Sequence, residues 1–280
     1  MKRGDEMRRE LAEPGMGSPL EAAIAERDRG TLAMVEQALA RGDAMLAYQP
    51  VLRADGRRVA FWEGLIRILD ETGRIIPARD FMGAAEDTDL GRRIDCAALQ
   101  AGLHALVETP DLRLSINMSA RSVGYPGWMA TLRRYLEQHP GAVERLILEI
   151  TESSAMLMPE IVAIFMEELQ DKGVTFALDD FGAGYTAFRH LKQFCFDILK
   201  IDGQFTRHID RDADNQVLTE ALISLGRHFD MLVVSESVET EAEAAWLAKA
   251  GVDCLQGYYY GAPSLTPPWR KDDAAEARRA

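Results

Sequence analysis

Short apolar runs alternate with longer amphipathic runs through most of the chain. The short runs have the composition of buried strands, whereas the longer runs have apolar residues at helical spacing. A regular alternation of this length predicts an α/β fold, a TIM-like (β/α)8 barrel. The predicted strands are residues 45–52, 57–68, 112–117, 145–150, 174–179, 197–201, 231–236 and 253–256. The predicted helices are residues 78–88, 94–107, 126–138, 158–171, 213–228 and 240–250.

The first two strands depart from the alternation, because only a few residues separate them. This connection has Asp55 and Gly56 at its tip, which is typical of a β-hairpin. The two strands of a hairpin run antiparallel, whereas strands joined by a helix run parallel. We therefore expect a barrel with one antiparallel strand.

Both ends of the chain differ in composition from the middle. Residues 1–17 are polar, with Gly and Pro, and predict a flexible tail; residues 266–280 are charged and alanine-rich and predict a second tail. Between them we expect one domain, residues 18–265, without an internal repeat. It opens with a helix over residues 18–40, for which Ser18 is the candidate cap.

Polar residues recur at the carboxyl ends of the predicted strands, which in a parallel barrel converge on one mouth where active sites are built. Glu63 lies inside the second strand and belongs to the same set, because its local segment reads FWEGLIR. Apart from the adjacent Asp179 and Asp180, successive members are 20 to 54 residues apart, which suits one strand–helix unit per step. The set comprises Glu63, Asn117, Glu149, Asp179, Asp180, Lys200, Glu236 and Gln256.

Carboxylates gathered at one mouth repel each other and shift each other's protonation unless cations neutralise them. Divalent cations with oxygen ligands do this, and Asn117 adds a neutral carbonyl oxygen. The adjacent Asp179 and Asp180 suit a carboxylate that bridges two ions beside one that serves the second ion. Two such ions polarise a phosphodiester and supply a hydroxide near neutral pH. Each carboxylate taken alone is more often an ordinary solvated side chain, so the joint pattern carries the argument.

Lys200 stands out because only six of the 32 basic residues are lysines. Inside the apolar segment DILKI, its compact ammonium suits a nucleophilic water or a phosphate oxygen. A lysine extending from the barrel mouth into solvent is an equally good interpretation. The segment DDFGAGY at residues 179–185 contains two glycines, so it is either a mobile loop over the site or a plain turn.

Composition narrows the classes of ligand. The net charge of −13 argues against a nucleic-acid polymer as partner, and an anionic ligand would need cations to meet it. Three cysteines and five histidines are scattered without disulfide or zinc spacing. No apolar run approaches the length of a membrane span and no signal peptide begins the chain, so we expect a cytoplasmic protein.

Eight short motifs occur in order along the chain. They are YQPV at 48–51, EGL at 63–65, NMSAR at 117–121, EITES at 149–153, DDFGAGY at 179–185, KID at 200–202, ESVE at 236–239 and QGYYYGAP at 256–263. Together they resemble the EAL-domain family of cyclic di-GMP phosphodiesterases, over about residues 20 to 265. Each motif is weak, but their order and spacing are specific. The resemblance implies a TIM-like barrel, two Mg²⁺ or Mn²⁺ ions, hydrolysis of cyclic di-GMP to linear pGpG, and a homodimer.

The resemblance also implies a role for each matching residue. It implies metal ligation by Glu63, Asn117, Glu149, Asp179, Asp180, Glu236 and Gln256, with Asp179 as the bridge. Among residues that serve catalysis, it implies Lys200 at the attacking water, Glu236 as a proton acceptor, Glu152 as a brace of the glycine loop and Glu239 in the water network. It implies substrate binding by Gln49, Arg67 and Asp202.

The chain departs from the family pattern at three places. Gly64 replaces the alanine of the signature triplet, which removes one methyl group and predicts some loosening around Glu63. Ile68 stands where the family often has tryptophan. Ser235 and Ser237 flank Glu236 in place of alanine and glycine, and the loss of the glycine at 237 could shift backbone beside a ligand.

Three functions are compatible with these residues. The leading interpretation is an active cyclic di-GMP phosphodiesterase, because every implied ligand is present. The second is a catalytically silent cyclic di-GMP receptor that signals through a protein partner. The third is a phosphodiesterase for another cyclic dinucleotide or for linear pGpG. The sequence does not identify a regulatory partner.

Overall fold

The computed structural model describes residues 19–183 and 191–269, within which nine strands form one sheet. The strands are β1 (Ala44–Arg53), β2 (Val59–Leu69), β3 (Ile75–Pro77), β4 (Leu114–Asn117), β5 (Leu146–Thr151), β6 (Thr175–Phe181), β7 (Ile198–Ile201), β8 (Leu232–Ser235) and β9 (Cys254–Gln256). All eight predicted strands are present. The short β3 has no counterpart in the prediction, because three residues are too few to show a periodic pattern.

Eight of the strands close into a barrel in the order β1-β9-β8-β7-β6-β5-β4-β2, and β2 pairs with β1 to complete it. Along the barrel from β2 to β4 and then in chain order to β9, each strand runs parallel to the next. β1 is antiparallel to both β2 and β9. β3 pairs with the end of β2 outside this closed set. The predicted TIM-like barrel with one antiparallel strand is therefore confirmed.

Helices surround the barrel, and their apolar faces join the outward side chains of the strands in the main core. The helices are α1 (Pro19–Arg41), α2 (Met82–Ala85), α3 (Asp89–Glu108), α4 (Pro126–Gln138), α5 (Pro140–Val143), α6 (Glu152–Ala155), α7 (Pro159–Gln170), α8 (Gly203–Thr206), α9 (Ala213–His228) and α10 (Glu241–Ala250). Within the described residues, no helix is long and apolar enough to cross a membrane.

The predicted helix over residues 78–88 is wrong in extent. The segment forms a 3-10 turn at Ala78–Asp80 and then the single turn α2, because Phe81 between them has a non-helical backbone. Thr88 is extended, and its side chain accepts a hydrogen bond from the backbone N–H of Leu90. This cap makes α3 begin at Asp89, before the predicted start at residue 94.

Inside the barrel, an apolar layer lies directly beneath the polar residues of the mouth. Alternate side chains of a strand face the same side, so residues two apart stack along the barrel axis. Phe61 lies beneath Glu63, Ile147 beneath Glu149 and Ile198 beneath Lys200. The interior apolar layer comprises Val51, Phe61, Ile147, Ala177, Ile198, Val234 and Cys254. It supports the site from below.

The residues after β9 return along the outside of the barrel. Ser264 and Tyr48 exchange backbone hydrogen bonds of 2.8 and 3.0 Å. Trp269 belongs to the segment assigned from sequence to a charged tail, yet its ring packs edge-on against Trp62 and Tyr48, at centroid distances of 4.9 and 5.2 Å. Residues 1–17 and 270–280 of the two expected tails lie outside the described residues.

Candidate active site

Four carboxylates surround the ammonium of Lys200 at the carboxyl ends of the barrel strands. Its Nζ lies 2.7 Å from Glu149 Oε2, 2.7 Å from Glu236 Oε1 and 2.9 Å from Asp179 Oδ1. Glu63 Oε2 is slightly farther away, at 3.5 Å. We call Glu63, Glu149, Asp179 and Glu236 the acidic cluster. The strand ends of a parallel barrel bring these residues together although up to 173 residues separate them, from Glu63 to Glu236.

The acidic cluster is almost completely removed from solvent. The side chains of Lys200 and Glu149 are fully buried, and even the most open member, Glu236, is only 17% exposed. Lys200 therefore does not extend from the mouth into solvent, which was the other interpretation of this residue. Its charge is enclosed among carboxylates.

Four carboxylates share the single ammonium of Lys200, and the pKa values of the cluster reflect this imbalance. Burial, followed by repulsion from Glu63, raises the pKa of Glu149 to about 8. Burial also raises the pKa of Glu236 well above its ordinary value, although Lys200 opposes the shift. Burial alone would lower the pKa of Lys200, but Asp179, Glu149 and Glu236 together raise it well above its ordinary value. Lys200 therefore remains a cation.

Glu63 is held differently from its neighbours. Asn117 Nδ2 donates to its Oε1 at 2.8 Å, and Gln256 Nε2 donates to its Oε2 at 2.5 Å. Burial would raise the pKa of Glu63, but Lys200 and these two amides lower it overall. Gln256 Nε2 also lies 3.3 Å from Gln49 Oε1, so three side-chain amides position this carboxylate. Glu63 stays ionised.

The side chains at the mouth fit divalent cations. Glu149 Oε1 and Gln256 Oε1 are buried and accept no hydrogen bond from any described residue. Ligand atoms of Asp179, Asp180 and Glu236 all lie within 4.8 Å of one another. Buried oxygen atoms without donors, beside an excess of negative charge, are what a hard cation requires.

Asp180 reaches the mouth through an unusual backbone conformation, with φ of 53°. It remains open to solvent on one side, yet partial burial of its carboxylate and repulsion from Asp179 and Asp202 raise its pKa to about 6. Asp202 itself caps α8, because its Oδ1 accepts the backbone N–H of Gln204 at 2.7 Å. The sequence analysis did not predict this capping role of Asp202.

Glu152 contacts the glycine-containing loop that follows β6. Its Oε2 accepts the backbone N–H of Gly182 at 3.2 Å. Gly182 has φ of 94°, and a Cβ at this position would lie 2.5 Å from the ring of Phe205. Only glycine fits there. The loop continues at residues 184–190, which lie outside the described residues.

The other predicted site residues lie at the edge of the mouth. Gln49 and the exposed Glu239 line a cavity of about 300 Å³ beside Glu63 and Gln256. Arg67 is half-buried and lines neither this cavity nor the larger one on the other side of Glu63. Its Nη1 donates to the backbone carbonyl of Ile66 at 2.9 Å.

A larger cavity of about 390 Å³ lies on the other side of Glu63, and it contains Asp95, which the sequence analysis missed. Asp95 is 5% exposed, and its Oδ2 accepts hydrogen bonds from Ser119 N at 2.9 Å and Ser122 Oγ at 2.6 Å. Burial raises its pKa to about 6. Its Oδ1 accepts no hydrogen bond from the described residues. The sequence signal that could have revealed Asp95 is its position on α3, at helical spacing from the buried Gly91 and Ala98.

The expectation of loosening at Gly64 is wrong. A Cβ at this position would lie 2.7 Å from Ile116 Cδ1, so the side chain of Ile116 already fills the space of the missing methyl group. The same Cδ1 lies 2.7 Å from a Cβ built on Gly102 of α3. Packing around Glu63 is therefore tight.

Ser237 adopts the backbone conformation that glycine would favour there, with φ of 55°. A Cβ at Gly203 would collide with its side chain, so Gly203 makes room for it. Packing thus stabilises the strained backbone that was expected beside Glu236. A non-glycine residue in this region costs roughly 1 kcal/mol or more.

Comparisons with known proteins agree with this arrangement. The sequence-family model of the EAL domain matches residues 32–263 of this chain. MucR of Pseudomonas aeruginosa, a bifunctional diguanylate cyclase/cyclic di-GMP phosphodiesterase, is 33% identical over 234 residues, which cover 82% of this chain and 34% of MucR. The cyclic di-GMP phosphodiesterase PdeF of Escherichia coli is 31% identical, over 82% of this chain and 31% of PdeF. The chain thus spans about a third of the length of these relatives.

Two solved structures have the same fold. The PaMucR phosphodiesterase in complex with c-di-GMP superposes with a TM-score of 0.74 at 32% identity, over 86% of this chain and 99% of that one. The FimX EAL domain from Pseudomonas aeruginosa bound to c-di-GMP superposes with a TM-score of 0.75 at 27% identity, over 84% and 96%. The family match covers far more than half of the chain. The predicted resemblance is confirmed, and the chain belongs to the EAL domain family.

Proposed function

We propose that this chain hydrolyses cyclic di-GMP to linear pGpG with two divalent cations, Mg²⁺ or Mn²⁺. The acidic cluster carries the proposal, because four buried carboxylates share one ammonium and include an oxygen atom without a donor. The relatives named as cyclic di-GMP phosphodiesterases and the neighbours solved with c-di-GMP support the choice of substrate.

The proposed ligands combine the acidic cluster with three neighbours. The residues that would hold the cations are Glu63, Asn117, Glu149, Asp179, Asp180, Glu236 and Gln256, and Asp179 would serve both. When bound, divalent cations supply Lewis acidity toward a phosphodiester and neutralise the charge that develops on it. The side-chain amides of Asn117 and Gln256 donate hydrogen bonds to Glu63, which leaves their carbonyl oxygens for a cation.

The protonation states divide the remaining chemistry between two side chains. Lys200 keeps its proton, so it donates hydrogen bonds to the attacking water or to a phosphate oxygen and cannot act as a base. Glu236 has a pKa raised well above its ordinary value and lies 2.7 Å from Lys200, which makes it the proposed proton acceptor. Glu152 holds the loop at Gly182, and Glu239 completes the polar rim.

The two cavities suggest how a dinucleotide lies across the mouth. They flank Glu63 and Glu236, so a phosphate over the acidic cluster would leave one nucleoside for each cavity. In the larger cavity, Asp95 Oδ1 is an acceptor for the N–H groups of a guanine edge. In the smaller cavity, Gln49 is the polar contact. Substrate binding by Arg67 and Asp202 stays a prediction.

One observation favours the receptor as a second candidate. Ser237 holds strained backbone directly after Glu236, and this backbone depends on packing against Gly203, so a loss of that packing would displace the proposed proton acceptor. A displaced Glu236 would impair proton transfer while leaving Glu63 and Asn117 to bind. Binding without turnover is the signature of that outcome.

A homodimer and a cytoplasmic location also stay predictions. Exposed apolar side chains that could form contacts between copies occur on α9, where Val217 is 67% and Leu218 48% exposed. A further group, Leu157, Ile161 and Ile164, lies on and just before α7.

The experiment follows pGpG by chromatography after purified protein is incubated with cyclic di-GMP and Mg²⁺ or Mn²⁺. We expect the wild type to form pGpG and Glu63→Ala to form none, because Glu63 is a proposed metal ligand whose lowered pKa keeps it ionised. Glu160→Ala removes an exposed glutamate on α7 and should leave turnover unchanged. Ca²⁺ should support binding with little cleavage, because its longer and looser coordination disturbs two-metal geometry. Tight binding without product in every metal would identify a receptor instead.

A further inference from the structure

A third cavity, of about 560 Å³, opens at the opposite end of the barrel, where the parallel strands begin. Arg53 at the end of β1, Arg58 just before β2 and Arg113 just before β4 all line it. All three side chains are exposed. We call this space, with its three arginines, the basal cavity. Neither the acidic cluster nor either cavity of the mouth shares a residue with it.

None of the three guanidinium groups has a carboxylate partner within residues 19–183 and 191–269. Among the residues that the structure describes, no carboxylate oxygen lies within 4.0 Å of them, although the chain carries a net charge of −13. The carboxylate that lines the basal cavity, Asp197, is engaged elsewhere. Its Oδ2 accepts the backbone N–H of Phe176 at 2.8 Å and lies 3.1 Å from Gln170 Nε2. The basal cavity is therefore a positive site in an acidic protein.

The inner wall of the basal cavity is apolar. Phe61, Ile147 and Ile198 line it, and all three belong to the interior apolar layer. Each is followed two residues later by Glu63, Glu149 or Lys200, a distance of about 7 Å along a strand. One layer of side chains thus separates the basal cavity from the acidic cluster. The apolar wall distinguishes this site from a simple patch of basic residues.

We propose that the basal cavity binds a small organic phosphate. Guanidinium forks bind phosphate oxygens bidentately, and three of them at one rim suit a dianion better than a carboxylate. The apolar wall would hold a ring or an aliphatic group attached to the phosphate. The volume lies within the range of small-ligand sites, which are concave, largely apolar and carry a few convergent polar groups.

Isothermal titration calorimetry tests the two halves of the proposed ligand separately. The probes are phenyl phosphate, inorganic phosphate and benzyl alcohol, titrated into the full chain without metal or cyclic di-GMP. We expect phenyl phosphate to bind about tenfold more tightly than inorganic phosphate, because the ring adds buried apolar area. Benzyl alcohol should give no measurable binding. Equal affinity for the two phosphates would overturn the proposal, since the apolar wall would then be unused.

Variants locate the binding. Arg58→Ala and Arg113→Ala should each weaken phenyl phosphate binding about tenfold, because each removes a charge-assisted contact. Arg133→Ala, at an exposed arginine on α4, is the matched control and should bind as the wild type does. Matching thermal unfolding curves establish that the variants are folded. Binding that survives in both cavity variants places the ligand elsewhere and contradicts the proposal.

Discussion

Lys200 shows at the scale of one residue how burial and charge oppose each other. An isolated buried lysine loses its proton readily, because a low dielectric disfavours the charged form. Here three carboxylates within 2.9 Å outweigh burial and keep the pKa well above its ordinary value. Burial acts on a carboxyl group with the opposite sign, and it raises the pKa of Glu149 to about 8. One environment thus holds one proton on nitrogen and favours another on oxygen.

Asp95 provides a prediction at this scale. Its folded-state pKa of about 6 lies above the unfolded value of 3.8, so its contribution to stability is favourable at low pH and is lost as the pH rises through 6. From about pH 4.5 to about pH 7.5, Asp95 should lower the free energy of unfolding by about 2 kcal/mol. Asp95→Asn lacks this titration. Its free energy of unfolding, measured by urea denaturation, should therefore vary less with pH by that amount.

The comparison between the two proteins isolates Asp95 from the other buried carboxylates, which titrate in both. Parallel pH profiles for the wild type and Asp95→Asn would show that burial does not perturb this group. A shallower profile for the wild type would reverse the sign of the argument.

At the scale of elements, Ile116 of β4 couples β2 to α3. Its Cδ1 occupies the space that a methyl group at Gly64 or at Gly102 would need. We predict that Gly64→Ala lowers the free energy of unfolding by about 1 to 3 kcal/mol through overpacking. Ile116→Val removes this Cδ1, so the double variant should recover at least about 1 kcal/mol relative to the sum of the single changes. Urea denaturation of the four proteins measures the coupling.

Gly30 provides the matched control, because a Cβ on this residue of α1 meets nothing within 4 Å. Gly30→Ala should be neutral or stabilising, since alanine favours a helix over glycine. Strict additivity between Gly64→Ala and Ile116→Val would mean that the two side chains do not compete for the same space.

At the scale of the whole molecule, repulsion within the acidic cluster should cost stability, and bound cations would relieve it. We predict that Mn²⁺ or Mg²⁺ raises the free energy of unfolding by about 2.7 kcal/mol at one hundred times its dissociation constant. The increase should appear as a higher midpoint in thermal unfolding. Sodium chloride at equal ionic strength should not reproduce it, because screening reaches a buried cluster poorly.

Glu149→Gln should lose most of this metal-dependent shift, whereas Glu160→Gln on the surface of α7 should retain it. Metal binding by the acidic cluster would be contradicted if divalent cations left the thermal unfolding midpoint of the wild type unchanged, or if Glu149→Gln showed the full shift. This measurement needs no substrate, so it is independent of turnover.

The periodicity of the chain predicted the barrel, its antiparallel strand and the residues at its mouth, because alternation and strand ends are local features of sequence. It could not predict β3 or the break at Phe81, which depend on short segments and on tertiary packing. Asp95 was missed for the same reason: a polar residue on the apolar side of a helix becomes notable only when its surroundings are known.

The sequence by itself determined which chemical groups this protein brings to its site, since residue type, order and spacing were sufficient to indicate the family and the set of carboxylates. Only the tertiary structure decided the distances among those groups, the burial of Lys200, the occupation of the space at Gly64 and the basal cavity. The physical reason is that side-chain packing and electrostatic interactions act through space. Residues far apart in the chain meet only when the barrel closes.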